Sequence, residues 1–269
     1  MKIFIDSAKI EEIEEAYSSG ILDGVTTNPS LIKKAAEELK SKGEKIDMEE
    51  YIKKILKTAE GTGVSLEVTE FTYDKMVEQG RALFKKFNPV AKNVYIKIPV
   101  NPSFEGEKGR EFEGLRTIKT LTAEGIPINC TLVFTPEQAL LAAKAGAKII
   151  SPFAGRIDDY IRSSGNAPFN KSDYFPQDGQ GNLNDNGIVS GIDLVRKIKE
   201  IFRNYNIKAE VLAASIRNTR QVREASLAGA DIATLPFSII KELLSHVKTR
   251  EGMKTFTQDA IPEYIDLAK

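Results

Sequence analysis

The sequence predicts a protein of the α/β class, a single (β/α)8 TIM barrel with a C-terminal helix, and three observations carry that expectation. Short apolar strands alternate with longer amphipathic segments along the whole chain. Five of the junctions from helix to strand carry a glycine, Gly20, Gly61, Gly125, Gly146 and Gly229, where a left-handed C-terminal cap is expected. AGAKIISPF, Ala145 to Phe153, is echoed by AGADIATLPF, Ala228 to Phe237, so one kind of unit is reused. An open doubly wound sheet would alternate in the same way, but the first loop, DSAK, carries no glycine-rich dinucleotide fingerprint.

Each expected strand is a short apolar run, and each expected helix repeats its apolar residues every three or four positions. KIFID precedes AKIEEIEEAYSSG; LDGVTT precedes SLIKKAAEELKSKG and a second helical piece, MEEYIKKILKTAEG; VSLEV precedes TYDKMVEQGRALFKKF. VYIKIP is followed by REFEGLRTIKTLTAEG, PINCTLVF by PEQALLAAKAG, and AKIISPF by a long excursion and then GIVSGIDLVRKIKEIFRNY. KAEVLAAS with RNTRQVREASLAG and DIATLPF with SIIKELLSHV complete eight units. The expected organisation is one barrel domain over 1–269, with a rim insertion at about 163–187 and a C-terminal helix at about 249–268. The insertion is rich in Gly, Asn, Asp and Pro and follows strand six, so it would lie over the C-terminal rim, as a lid or as a mobile insertion. The final helix could cover its own barrel or lie against a second copy in a homo-oligomer.

Composition excludes several classes of function. The 38 basic residues match the 38 acidic ones, which implies neither a nucleic-acid nor a membrane partner. No apolar run approaches the roughly 18 residues of a membrane span. Cys130 is the single cysteine and cannot form an intramolecular disulfide, and the acidic N-terminus is unlike a secretory signal, so the expected compartment is the cytoplasm. One histidine, His246, leaves no His-rich metal site. Catalysis must then rest on Lys, Asp, Glu, Ser, Thr, Asn or Arg.

Strands buried on both faces should be nearly all apolar, which makes their polar residues informative. In PINCTLV, Asn129 and Thr131 share one face and Cys130 takes the other, where its thiol packs as a small apolar group. Asp6, Asn28, Glu67, Lys97, Ser151 and Ser215 stand near the C-terminal ends of the other strands, which converge in a closed barrel. Helix capping is a competing role for Asn28, for Asp6 with Ser7, and for Ser215. Lys97, inside VYIKIP, has no such role and needs a carboxylate, Asp6 or Glu67, to remain buried and charged. Removal from water disfavours an ammonium, so a lysine so placed can act as a free amine that attacks a ketone. The iminium formed withdraws electrons and lets the bond between the neighbouring carbons break. The two carboxylates would supply the base and acid for the proton transfers. Arg156 and Arg217 lie just past strands six and seven, in rim loops where their donor forks suit a phosphate dianion, beside Ser215 and a helix N-terminus.

With these residues in view the sequence resembles the transaldolase family. GVTTNPSLI, VYIKIP, INCTLVFTPEQALLAAKAGAKIISPFAGRIDD and AASIRNTRQV occur in the family's order, and the resemblance runs from FIDSA at Phe4 to EGMKTFTQD at the tail. It implies a cofactor-free, cytoplasmic transferase of the nonoxidative pentose phosphate pathway. Such an enzyme moves a dihydroxyacetone unit from sedoheptulose 7-phosphate or fructose 6-phosphate to glyceraldehyde 3-phosphate or erythrose 4-phosphate. The resemblance further implies that Lys97 forms the Schiff base, that Asp6 is acid and base at the C4 hydroxyl, and that Glu67 works through a water held with Thr131. Asn28, Asn129 and Ser151 would hold the dihydroxyacetone unit, Phe153 would wall the cavity, and Arg156, Ser215 and Arg217 would receive the phosphate. The related fructose-6-phosphate aldolases typically carry glutamine and tyrosine where this chain has Glu67 and Phe153. Such an aldolase, releasing free dihydroxyacetone, is the nearest alternative, and a noncatalytic sugar-phosphate sensor is an alternative of another class. One departure from the family is the longer stretch NPSFEGEKGREFEG after the lysine strand.

Overall fold

Each of the eight apolar runs forms a strand: β1 (Lys2–Asp6), β2 (Gly24–Thr26), β3 (Gly63–Glu67), β4 (Val94–Pro99), β5 (Ile128–Val133), β6 (Ile149–Pro152), β7 (Glu210–Ala213) and β8 (Ile232–Leu235). Neighbours pair in parallel and in chain order, and β8 returns to pair with β1, so the sheet closes on itself. The structure is a computed structural model that describes residues 1–43, 45–165 and 168–268.

The helices between strands are α1 (Ile10–Ser18), α2 (Pro29–Ser41), α3 (Met48–Thr58), α4 (Tyr73–Ala91), α5 (Glu113–Ala123), α6 (Pro136–Ala145), α7 (Ala154–Ser164), α8 (Gly191–Asn204) and α9 (Thr219–Leu227), with α10 (Phe237–Glu242) after β8. Their ends follow local chemistry. Thr135 and Gln138 form a reciprocal capping box at the start of α6, and Asn28, Asp47, Ser190 and Asn218 cap α2, α3, α8 and α9. All five glycines expected as caps have positive φ, from 72° at Gly20 to 106° at Gly146.

Alternation along each strand divides the apolar residues into two layers. Ile5 of β1 joins the large cluster between sheet and helices. Phe4 instead joins Ile149, Leu212, Ala214 and Ile232, with Tyr95 and Phe153 against them, in a smaller cluster that fills the barrel. The Phe4 ring occupies the space where Gly24 lacks a side chain, since a Cβ there would stand 2.5 Å from the ring Cζ. Cys130 belongs to the outer cluster and is fully buried, and burial pushes its thiol up, as expected of an inert packing group.

Two expectations need correction. The excursion does not follow β6 directly: α7 comes first, because Ile157 and Ile161 give Ala154–Ser164 an apolar face that buries. The excursion is then fastened beside the rim. Arg162 donates to the carbonyls of Asn170 at 3.1 Å and Asp173 at 2.5 Å, and lies 5.1 Å from the ring centroids of both Phe169 and Phe175. Tyr174 donates to Glu224 of α9 at 2.7 Å. Residues 166 and 167 of the expected insertion lie outside the described residues.

The C-terminal helix starts at Val247 and is broken. After α11 (Val247–Gln258) the chain extends at Ile261, with φ −88° and ψ 149°, because the ring of Pro262 excludes helical geometry from the residue before it. A short α12 (Pro262–Ile265) and one 3-10 turn follow. No residue of α11 or α12 is buried, so this arm does not cover its own barrel. Among the described residues no helix is long and apolar enough to cross a membrane.

Candidate active site

Strand register brings the polar residues of β3, β4 and β5 to one level, with Glu67 opposite Lys97 and Lys97 opposite Asn129. Lys97 is 4% exposed, and its Nζ stands 2.8 Å from Glu67 Oε2 and donates to the Thr27 carbonyl at 3.0 Å. The carboxylate and the carbonyl together aim the amine. Asn129 donates to Ser65 Oγ at 3.1 Å and accepts from Ser151 Oγ at 2.7 Å, so its amide is held from both sides. Thr131, next on the same face, is fully buried, and among the described residues its Oγ1 has no partner. A β-bulge follows it, with Leu132 at φ 58°.

Asp6 pairs in register with Thr26, whose hydroxyl donates to Asp6 Oδ1 at 2.7 Å and lies 2.5 Å from the hydroxyl of Thr234. Burial holds the Asp6 carboxyl above the ordinary range, and the charge of Glu67 adds to that. The Thr26 hydrogen bond and the positive charges of Lys97 and Arg156 oppose it. Neither Asp6 nor Ser7 caps α1, whose N-cap position is Lys9 with no side-chain capping bond, although Ser7 Oγ accepts from Lys9 N at 3.1 Å. Asn28 does both things expected of it: its Oδ1 accepts from Leu31 N at 3.0 Å to cap α2, and it also lines the cavity.

The rim supplies longer side chains. Arg156 lies over the Phe153 ring at 4.9 Å, and among the described residues no carboxylate forms an ion pair with it. Arg217 donates from one terminal nitrogen to Asp159 Oδ2 at 2.9 Å and from Nε to the Ser215 carbonyl at 3.2 Å. Ser215 adopts φ 61°, a left-handed conformation unfavourable for a residue with a Cβ. This fold of the chain needs Gly155, because a Cβ there would stand 2.1 Å from the Ser215 carbonyl and 2.7 Å from Arg217 Nε. Beneath lies buried Asp158, which accepts from Gly191 N and from Gln221 Nε2, both at 2.7 Å, while Gln221 Oε1 accepts from Arg217 N at 2.7 Å. Burial raises the Asp158 carboxyl to about 6. Asn218, not Ser215, caps α9.

Of the residues expected to form the site, Asp6, Asn28, Lys97, Ser151, Phe153, Arg156 and Ser215 line one cavity at the C-terminal end of the barrel. Glu67 joins it through Lys97 and Asn129 through Ser151. Arg217 is not in the lining, because its guanidinium is turned towards Asp159. Among the described residues, neither the excursion after α7 nor the long loop after β4 lines the cavity. That loop is clipped aside: Arg110 holds Glu107, Glu113 and the Phe71 carbonyl, and Phe71 meets Phe104 edge-on at 5.2 Å. A larger cleft at the opposite end of the barrel, beside Ile126, Lys148 and Lys208, has no carboxylate among the described residues that line it. No group of His, Cys, Asp and Glu among the described residues is arranged to hold a metal ion.

Sequence reasoning missed Thr26 and Thr234, although each is a polar residue inside a buried strand and was detectable by the rule that picked out Lys97. It also missed Asp158, Asp159 and Gln221, whose partners lie across α7, α8 and α9 and leave no local signal.

Comparison with known proteins adds an independent line. The family model described as Transaldolase/Fructose-6-phosphate aldolase matches residues 3–267. A Thermoplasma volcanium protein named "Probable transaldolase" is 42% identical over 259 residues, 96% of this chain and 95% of that one. An Aquifex aeolicus protein of the same name is 40% identical over 265 residues, covering 98% and 99% of the two chains. The crystal structure of a Pediococcus acidilactici lactate oxidase, 13% identical with a TM-score of 0.50, covers 87% of this chain and is 62% spanned by it, a likeness of fold alone.

Proposed function

We propose that this chain, which belongs to the transaldolase/fructose-6-phosphate aldolase enzyme family, is a transaldolase that works through a Schiff base on Lys97. The observation that carries the reading is the Lys97 amine, buried in the barrel, 2.8 Å from Glu67 and lining one cavity with Asp6 and Arg156. In the proposed reaction the amine adds to the C2 carbonyl of fructose 6-phosphate or sedoheptulose 7-phosphate, and water leaves as the iminium forms. Glu67, against the amine, is suited to exchange the protons of that step, with Thr131 Oγ1 free to hold the water. Asp6 then takes the proton of the C4 hydroxyl. The C3–C4 bond breaks, its electron pair flows into the iminium, and an aldose phosphate departs while the dihydroxyacetone enamine stays on Lys97. Addition to the aldehyde of a second aldose phosphate reverses these steps.

Asn129, locked by Ser65 and Ser151, and Asn28, whose amide nitrogen is left over from its capping bond, are the proposed donors to the hydroxyls of the dihydroxyacetone unit. Arg156, a cation on the cavity wall with no ion-pair partner among the described residues, with Ser215 and Arg217 beside it, is the proposed phosphate receiver. Phe153 in the wall offers no proton to the enamine, which favours transfer over release of free dihydroxyacetone. This chemistry belongs to the nonoxidative pentose phosphate pathway and to the cytoplasm.

Borohydride reduction in the presence of fructose 6-phosphate, followed by mass spectrometry, is expected to find a reduced three-carbon adduct on Lys97. An unmodified lysine under conditions of measured turnover would defeat the mechanism. The ratio of transfer to erythrose 4-phosphate over release of dihydroxyacetone separates a transferase from an aldolase.

A further inference from the structure

We propose that Thr26 and Thr234 form a one-way chain of hydroxyls that occupies Asp6 Oδ1, so that the other carboxyl oxygen, Oδ2, is the one that exchanges protons with substrate. The inference rests on the reading of Asp6 as acid and base and assigns Thr26 a part as its positioning residue. Thr234, Asp6 and Thr26 stand on β8, β1 and β2, three adjacent strands of the closed sheet, and the two threonines are 3% and 2% exposed. The distances are 2.7 Å from Thr26 Oγ1 to Asp6 Oδ1 and 2.5 Å between the two hydroxyls.

Each hydroxyl carries one proton, and an ionised carboxylate can only accept. Thr26 must therefore give its proton to Asp6, and Thr234 must give its own to Thr26. The Thr26 bond takes up one acceptor position of Oδ1 and none of Oδ2, so a proton arriving from substrate meets less competition at Oδ2. The charged groups that act on Asp6 are Lys97 from β4, Glu67 from β3 and Arg156 from α7. Covalent and phosphate chemistry would change their charge or pairing during turnover. Thr26 acts on Asp6 through a hydrogen bond between neutral and acidic groups, with no charge of its own to change.

Three variants test this through the pH dependence of kcat/KM for transfer from fructose 6-phosphate, whose acid limb reports the carboxylate that must be ionised in the free enzyme. Thr26→Val keeps the shape and removes the donor, and its acid limb is expected to move to higher pH by about one unit. Thr26→Ser restores the limb, since it restores the hydroxyl. Thr234→Val leaves Thr26 able to donate but without its orienting partner, and a smaller upward shift is expected.

An unmoved or lowered limb in Thr26→Val, or a serine variant that behaves like the valine one, overturns the proposal. If Thr26→Val does not fold, Thr234→Val decides, an unmoved limb there counting against the chain. Wild-type protein with neither transfer nor a borohydride adduct on Lys97 would overturn the functional reading and this inference together, a result distinct from an active enzyme whose limb stays put.

Discussion

In the strand half of the cavity, Lys97, Glu67, Asn129 and Ser151 sit on adjacent strands and pair off, Lys97 with Glu67 and Asn129 with Ser151. In the rim half, Arg156 and Arg217 project from the chain just after β6 and β7, one with no carboxylate partner among the described residues and the other held by Asp159. The strand half is positioned by backbone ladders that cannot shift by less than a residue, so its side chains have almost no freedom. The rim half is positioned by long side chains and by helix-to-helix contacts, which leave room to adjust. Rigid placement suits bond making and breaking, and adjustable cations suit a ligand that arrives and leaves.

Substitutions in each half should leave different kinetic marks. Lys97→Met should abolish transfer, with a loss of about 10⁴-fold or more in a coupled assay, while circular dichroism stays that of the folded barrel. Arg156→Ala and Arg217→Ala should each lower kcat/KM for phosphorylated ketoses by about 10²-fold, mostly through KM, with little effect on unphosphorylated dihydroxyacetone donors. If the arginine variants lost kcat and kept KM, the division of labour between the two halves would fail.

Gly155→Ala tests the packing on which the rim half rests. Its new methyl group would meet the Ser215 carbonyl, so a loss of about 2–3 kcal/mol in denaturant unfolding is expected, along with a raised KM. The smallest effect is on pH dependence. Burial raises the Asp158 carboxyl from 3.8 to about 6, so the folded state holds that proton more tightly than the unfolded chain. Its contribution to stability is therefore fully present below about pH 3.8 and is lost as pH rises through about 6. Asp158→Asn, whose amide oxygen can still accept from Gly191, should lack this decline. The stability difference between variant and wild type should drift in the variant's favour by on the order of 2 kcal/mol between those limits. Parallel stability curves for the two proteins would count against it.

The strand half was the more legible in sequence because its signal is local. A lysine or asparagine inside an apolar run is conspicuous, and period two gives the face on which it lies. The rim half was legible only in its arginines. Asp159 is 58 residues from Arg217, and nothing near either one announces the other. The lone helix expected over 249–268 failed at Pro262, where residue-before-proline geometry outweighed the amphipathic pattern.

The eight strands, the caps that end their helices and the identity of the buried amine all follow from residues within a few positions of one another. Closure of the sheet decided the rest. It brings Thr26 and Thr234, separated by 208 positions, to within 2.5 Å, and it sets the two oxygens of Asp6 in different surroundings. A hydrogen-bond chain of that kind depends on which strands become neighbours, a quantity that no stretch of sequence contains.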